Sequence, residues 1–116
     1  MTTILVVDDE PEIREVVADY LELEGYTAVQ AGGCEAALVV LAGQPVALLL
    51  TDIRMPCCTG VELAEQAGVL YPALPVLLMT GYALNGFPHQ TLHKPFRMAD
   101  MMATITVLLA AQPAAR

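Results

Sequence analysis

Hydrophobic residues fall along the chain in two alternating rhythms. Short apolar runs at Thr3–Val7, Tyr26–Gln30, Ala47–Leu50, Val76–Met79 and Thr91–His93 each stop at polar, glycine or proline residues. Runs this short predict strands, and the greasiest, Ala47 to Leu50 continuing through Thr51 to Asp52, predicts a strand buried on both faces. Between them apolar residues recur at i, i+3, i+4 and i+7. Ile13, Val16, Val17, Tyr20 and Leu21 form one such stripe, and Met98, Met101, Met102, Ile105, Leu108 and Leu109 another. Both predict helices with one face inward. The first should open at Pro11 and run to about Glu24, with Gly25 as its stop. Cys34–Ala42 predicts a second helix, ended by Gly43 and Pro45. Thr59-Gly60-Val61-Glu62 has capping-box spacing and predicts a third, with Leu63, Ala64, Ala67 and Leu70 inward and Pro72 and Pro75 at its exit.

Strands alternating with helices argue an α/β protein, a parallel sheet covered on both faces through right-handed crossovers. The exception follows the fourth strand. Only 13 residues (94 − 80 − 1) separate Thr80 from Lys94, and they hold Gly81, Gly86 and Pro88 without a helical period. A loop is expected there, and a frayed tail from Ala110 to Arg116.

With 116 residues and 56% apolar content, the expectation is one domain over 1–116 with a real core. Thirteen acids against five Lys/Arg give a net charge of −8, which leaves no footprint for nucleic acid or anionic lipid. No apolar stretch reaches the roughly 18 residues of a spanning helix. Asp8-Asp9-Glu10 stands where a signal peptide needs basic and apolar residues, so the expected location is cytoplasmic. Three cysteines, two of them adjacent at Cys57-Cys58, are expected to remain reduced thiols. A redox role for Cys57-Cys58 near Asp52 is the sharper alternative. Neither the cysteines nor His89 and His93 have metal-site spacing; His93 is expected half-buried.

The chemistry gathers at the strand ends: Asp8 and Asp9 after the first, Asp52 after the third, Thr80 after the fourth, Lys94 after the fifth. In open α/β sheets ligands bind beyond this edge. Carboxylates this close repel and raise one another's pKa unless a cation joins them. Mg²⁺ is the natural one, being an oxygen-seeking ion held by one or two carboxylates plus a phosphate. Thr80 as donor and Lys94 as point charge would cradle phosphoryl oxygens. The set suits phosphoryl transfer to Asp52.

Four motifs in order, Val6-Val7-Asp8-Asp9-Glu10, Thr51-Asp52-Ile53-Arg54-Met55-Pro56 with Gly60, Met79-Thr80-Gly81 and Lys94-Pro95-Phe96, resemble the receiver domain of two-component response regulators over nearly the whole chain. The resemblance implies a flavodoxin-like five-stranded sheet of order 2-1-3-4-5. It implies that Asp52 takes a phosphoryl group from a histidine kinase or histidine phosphotransfer protein. Asp8, Asp9, Asp52 and the backbone carbonyl of Arg54 would hold Mg²⁺, Thr80 and Lys94 would bind phosphoryl oxygens, and Lys94-Pro95 would be cis. The donor would dock near Asp9, on the first helix and the loop after Lys94. Such a chain is a signalling module of a phosphorelay and not an enzyme, with output through protein contacts. Its output partner is not encoded in these residues.

Two features depart from the family. Thr91 stands three residues before Lys94, where an aromatic switch is usual, and Tyr82 is the candidate replacement. The segment Gly81–Gln90 is shorter than the helix the family places between its fourth and fifth strands. Phosphorylation is expected to order this segment. On the last helix, Ala103, Thr104, Thr106 and Val107 leave an uncharged outer face, expected to be a partner or homodimer surface.

An aspartyl phosphohydrolase is the enzymatic alternative, but it needs an acid two residues after the nucleophile, where this chain has Arg54. A nucleotide-binding domain needs a glycine-rich turn where this chain has Asp8-Asp9-Glu10. A non-phosphorylated receiver-like interaction domain is opposed by the intact set of Asp8, Asp9, Asp52, Thr80 and Lys94.

Overall fold

Each apolar run forms a strand, and each periodic stretch a helix. The computed structural model describes residues 2–56, 58–81 and 90–111. In chain order the elements are β1 (Thr3–Val7), α1 (Pro11–Leu23), β2 (Thr27–Ala31), α2 (Cys34–Gly43), β3 (Leu48–Asp52), α3 (Gly60–Leu70), β4 (Val76–Thr80), β5 (Gln90–His93) and α4 (Met98–Ala111). The strands lie in the order β2-β1-β3-β4-β5, and every pairing is parallel. This is the flavodoxin-like sheet.

Side chains alternate across a strand, so each apolar run supplies two cores at once. Leu5, Val7, Leu49 and Leu78 pack on one face with Ala37 and Leu41 of α2 and Leu63, Ala64 and Ala67 of α3. Ile4, Val6, Leu48, Leu50, Leu77 and Met79 pack on the other with Val17 and Leu21 of α1 and Met101 and Ile105 of α4. Every residue of β3 and β4 is buried, which is why these runs carry no polar alternation. Burying each leucine, valine or methionine of these strands contributes about 1.5–3 kcal/mol. The register sets Val7 opposite Ala31 and Thr51, Asp52 opposite Met79, and Thr80 opposite His93. The ends of all five strands therefore share one edge.

Several boundaries and faces differ from those expected. Helix α1 stops at Leu23, and Gly25 takes a positive φ of 95°, the conformation glycine adopts freely after a helix. Val16 is 57% exposed and Leu70 62% exposed. Val16 lines an open groove with Ile13, Phe96 and Met98, and Leu70 is the final residue of α3, beyond the last buried turn at Ala67. Tyr71 and Leu74 pack against the core in its place. His93, expected half-buried, is exposed. The expectations for the loop after Gly81, Tyr82 among them, fall on residues 82–89, which lie outside the described residues. No described helix is long and apolar enough to cross a membrane.

The expectation of reduced thiols is corrected for Cys34 and Cys58; Cys57, and with it the expected alternative of a Cys57-Cys58 redox pair, lies outside the described residues. Cys34, the first residue of α2, and Cys58, in the loop between β3 and α3, are joined as a disulfide with their Cα atoms 6.4 Å apart. Parallel topology brings the turn after β2 and the turn after β3 to the same edge. Two cysteines 24 residues apart thus come within the Cα range a disulfide spans.

Candidate functional site

Asp8 follows directly on β1, where its N–H donates to the carbonyl of Ala31 at 3.2 Å. It is fully buried. Its Oδ1 accepts from the Glu10 N–H at 2.9 Å, and its backbone carbonyl accepts from the Arg14 guanidinium at 2.8 Å. Arg14 also donates to the Gln30 side chain at 3.1 Å, so one α1 side chain ties the end of β1 to β2. Asp9, next in sequence, is exposed.

Asp52 closes β3 and is 7% exposed. Its carbonyl accepts from the Thr51 hydroxyl at 2.9 Å. A Cβ at Gly60 would collide with that same carbonyl, so only glycine lets α3 start this close to the strand end. The following N–H, of Ile53, donates to Met79 at 3.0 Å, and the Ile53 carbonyl accepts from Gly60 at 2.8 Å. The loop that leaves Asp52 is closed on itself by a bridge between Arg54 and Thr59.

Across the cleft, the backbone N–H of Lys94 donates to the carbonyl of Thr80 at 2.6 Å, and the Lys94–Pro95 peptide is cis. The Lys94 ammonium lies 3.4 Å from Asp8 Oδ2 and 3.5 Å from Asp52 Oδ2. One carboxylate oxygen from each of Asp8, Asp9 and Asp52 falls within 4.8 Å of the others. A cleft of about 370 Å³ opens above them, lined by Asp9, Glu10, Asp52, Arg54, Thr80, Gly81 and Lys94.

The Lys94 ammonium is shared between the Asp8 and Asp52 carboxylates, and the balance shows at Asp52. Burial pushes its carboxyl above the ordinary value. Lys94 pulls it back by charge, Asp8 raises it further, and hydrogen bonds from Ile53 N–H and Lys94 lower it. The donor set is all oxygen, hard, and short of positive charge, which fits a divalent ion such as Mg²⁺.

The structure thus gathers Asp8, Asp9, Asp52, Arg54, Thr80 and Lys94 around one cleft. It leaves Thr91 out. Thr91 is half-buried in β5 opposite Leu78, two residues before the position opposite Thr80, and it does not line the cleft. Tyr82 lies outside the described residues. Two contributors escaped the sequence reading, Glu10 in the cleft wall and Arg14 on the Asp8 carbonyl. For Arg14 the available signal was its place as the sole cation of α1, one turn after the acids.

A parallel sheet in this order is the flavodoxin-like fold, and its carboxyl edge here carries a cluster of three aspartates that could hold a metal ion, with a lysine beside it. Residues 4–106 match the family described as response regulator receiver domain. The response regulator receiver protein CpdR of Brucella abortus is 33% identical over 119 residues, covering 96% of this chain and 99% of that protein. The response regulator protein FleR of Pseudomonas aeruginosa is 42% identical over 79 residues, covering 68% of this chain and 17% of its own length. Among solved structures, the response regulator TrrA of Thermotoga maritima, crystallised with Mg²⁺ and BeF, superposes with a TM-score of 0.86 at 31% identity, over 93% of this chain and 99% of that one. TrrA in complex with the histidine kinase ThkA gives 0.85 at 30% identity, over 94% and 99%. The chain belongs to the response regulator receiver family of two-component systems. Phosphorylation-dependent signalling is the general function of that family.

Proposed function

We propose that Asp52 is the phospho-acceptor of this receiver. A carboxylate oxygen of Asp52 attacks the phosphorus of a phosphohistidine on a histidine kinase or phosphotransfer protein. The P–N bond breaks, the imidazole departs with its electron pair, and an aspartyl phosphate forms. Lys94 and Thr80 bind the phosphoryl oxygens. Asp8 and Asp9, with Asp52 and the Arg54 carbonyl, would hold Mg²⁺, which supplies charge neutralisation for the incoming phosphoryl group. Positioning and charge neutralisation are nearly all that a loose phosphoryl-transfer transition state can use. Water later hydrolyses the mixed anhydride and resets the module.

The observation that carries this reading is the Lys94 ammonium 3.4 and 3.5 Å from two buried carboxylates on three separate strand ends. The phosphohistidine donor docks in the open groove of about 590 Å³ formed by Ile13, Val16 and Val17 with Pro95, Phe96 and Met98. It adjoins Lys94, and it accounts for an exposed valine at Val16. Output passes through the outer face of α4. There the Thr104 and Thr106 hydroxyls donate to the carbonyls of Asp100 and Met102 at 3.0 and 2.8 Å and Val107 is exposed, a weakly polar surface suited to a partner or second copy.

The test is intact-protein mass after incubation with acetyl phosphate and Mg²⁺. One phosphate should appear on the native chain and none on Asp52→Asn. An equal adduct on the variant would move the acceptor elsewhere. No adduct, together with amide spectra at Asp52, Thr80 and Lys94 unmoved by beryllofluoride and Mg²⁺, would end the reading.

A further inference from the structure

We propose that Cys34 and Cys58 form a thiol–disulfide redox site whose closure fixes the loop after Asp52 and so strengthens Mg²⁺ binding at the strand edge. The coupling to Mg²⁺ rests on the site reading given above; the cross-link does not.

Cys34 begins α2 immediately after Gly32-Gly33, and Cys58 sits between Asp52 and the start of α3. Neither residue is buried, so a small oxidant can reach both. Among the described residues of the loop that leads from the site to Cys58, Met55 packs against the core, but few backbone hydrogen bonds hold the loop. Its ends are fixed by the Arg54–Thr59 bridge and by the capping box in which Thr59 and Glu62 exchange hydrogen bonds of 2.9 and 3.1 Å. Between those ends, Met55, Pro56 and Cys58 make no backbone hydrogen bond to another described residue. The disulfide adds a covalent tether, to the first turn of a helix that is itself packed on the sheet through Ala37 and Leu41. Arg54, whose carbonyl belongs to the metal set, is carried on the tethered loop. A loop ordered beforehand loses less freedom when an ion binds it.

The oxidant is a low-molecular-weight disulfide. The Cys34 thiolate attacks one of its sulfurs, the S–S bond breaks, and one thiol leaves. Thiols at helix N-termini are apt attackers in such exchange. The Cys58 thiolate then attacks the Cys34 sulfur and displaces the second thiol. Two electrons pass from the cysteine pair to the oxidant, and the two cysteine protons end on the released thiols. Excess small thiol drives the same steps backward.

The experiment poises the full chain with oxidised or reduced glutathione, maps the cross-link by differential alkylation and mass, and titrates Mg²⁺ calorimetrically. Oxidation should remove two hydrogens from the native chain and from Cys57→Ser, with Cys34 and Cys58 in the linked peptides, and should fail in Cys34→Ser and Cys58→Ala. The oxidised native chain should bind Mg²⁺ about fivefold more tightly than the reduced one, with Cys34→Ser and Cys58→Ala behaving as reduced in either buffer. A bond mapped to Cys57, or none, overturns the site. Equal Mg²⁺ affinity in both redox forms, with acetyl phosphate still labelling Asp52, overturns the coupling and leaves the phospho-acceptor reading intact. Absence of Mg²⁺ binding in both forms overturns the coupling together with that reading. The native chain in its two redox forms supplies this comparison even if a cysteine variant fails to fold.

Discussion

Asp52 carries its negative charge in a place that resists it. Burial is the largest influence on its carboxyl and raises its pKa, with Asp8 adding to the effect. A group whose folded pKa lies above its unfolded value contributes stability that is complete below the ordinary carboxylate range. That contribution is lost as pH rises through the folded pKa, because the unfolded chain releases its proton first. In metal-free buffer, Asp52→Asn should therefore be more stable than the native chain towards urea at pH 7, and the advantage should vanish in acid below the ordinary aspartate range. A variant that is less stable at pH 7 would contradict this. Residues of this kind were legible because strand ends announce themselves: Asp8, Asp9, Asp52 and Lys94 each follow an apolar run. Val16 and Leu70 were misplaced because helical period fixes an angle around the axis, while burial depends on what lies opposite. The Cys34–Cys58 pairing was illegible, since spacing alone does not state connectivity.

At the scale of the element, the start of α3 decides how the loop beyond Asp52 is held. Thr59 accepts from the Glu62 N–H at 3.1 Å while Glu62 accepts from the Thr59 N–H at 2.9 Å, so two otherwise unpaired donors are satisfied reciprocally. Thr59→Ala should cost about 1 kcal/mol of stability in urea unfolding, and Thr59→Ser should restore most of it. An unchanged midpoint in the alanine variant would mean that water or Glu62 alone satisfies the helix end. This element was readable from four consecutive letters because capping is local chemistry. Strand limits drifted by a residue, as at β2, found at Thr27–Ala31 and expected at Tyr26–Gln30. A strand's ends are set by its neighbours in the sheet, and here Thr3 pairs with Thr27 and Val7 with Ala31.

In the whole molecule, β1, β3 and β4 each have a strand on both sides and cores on both faces. Their amides open only with the fold itself. Hydrogen exchange should be slowest at Leu5, Leu49, Leu50 and Leu78 and markedly faster along β5, whose outer edge has no strand beyond it among the described residues. Comparable protection in β5 would show a covered edge. The doubly wound class was legible from alternating strand and helix patterns, because topology there follows from few rules of crossover and burial. The contact between the first and last strand ends has a further consequence. Lys94 meets Asp8 across 86 positions of sequence, and Asp52 and Thr80 lie between them on two other strands. No fragment that stops short of Lys94 holds the acids and that counter-charge together. A polypeptide still emerging from synthesis, or one whose last strand has come loose, has carboxylates but no lysine among them. On the phospho-acceptor reading proposed above, such a chain is deaf to the signal until the sheet is complete, so a message can be written only on a finished molecule.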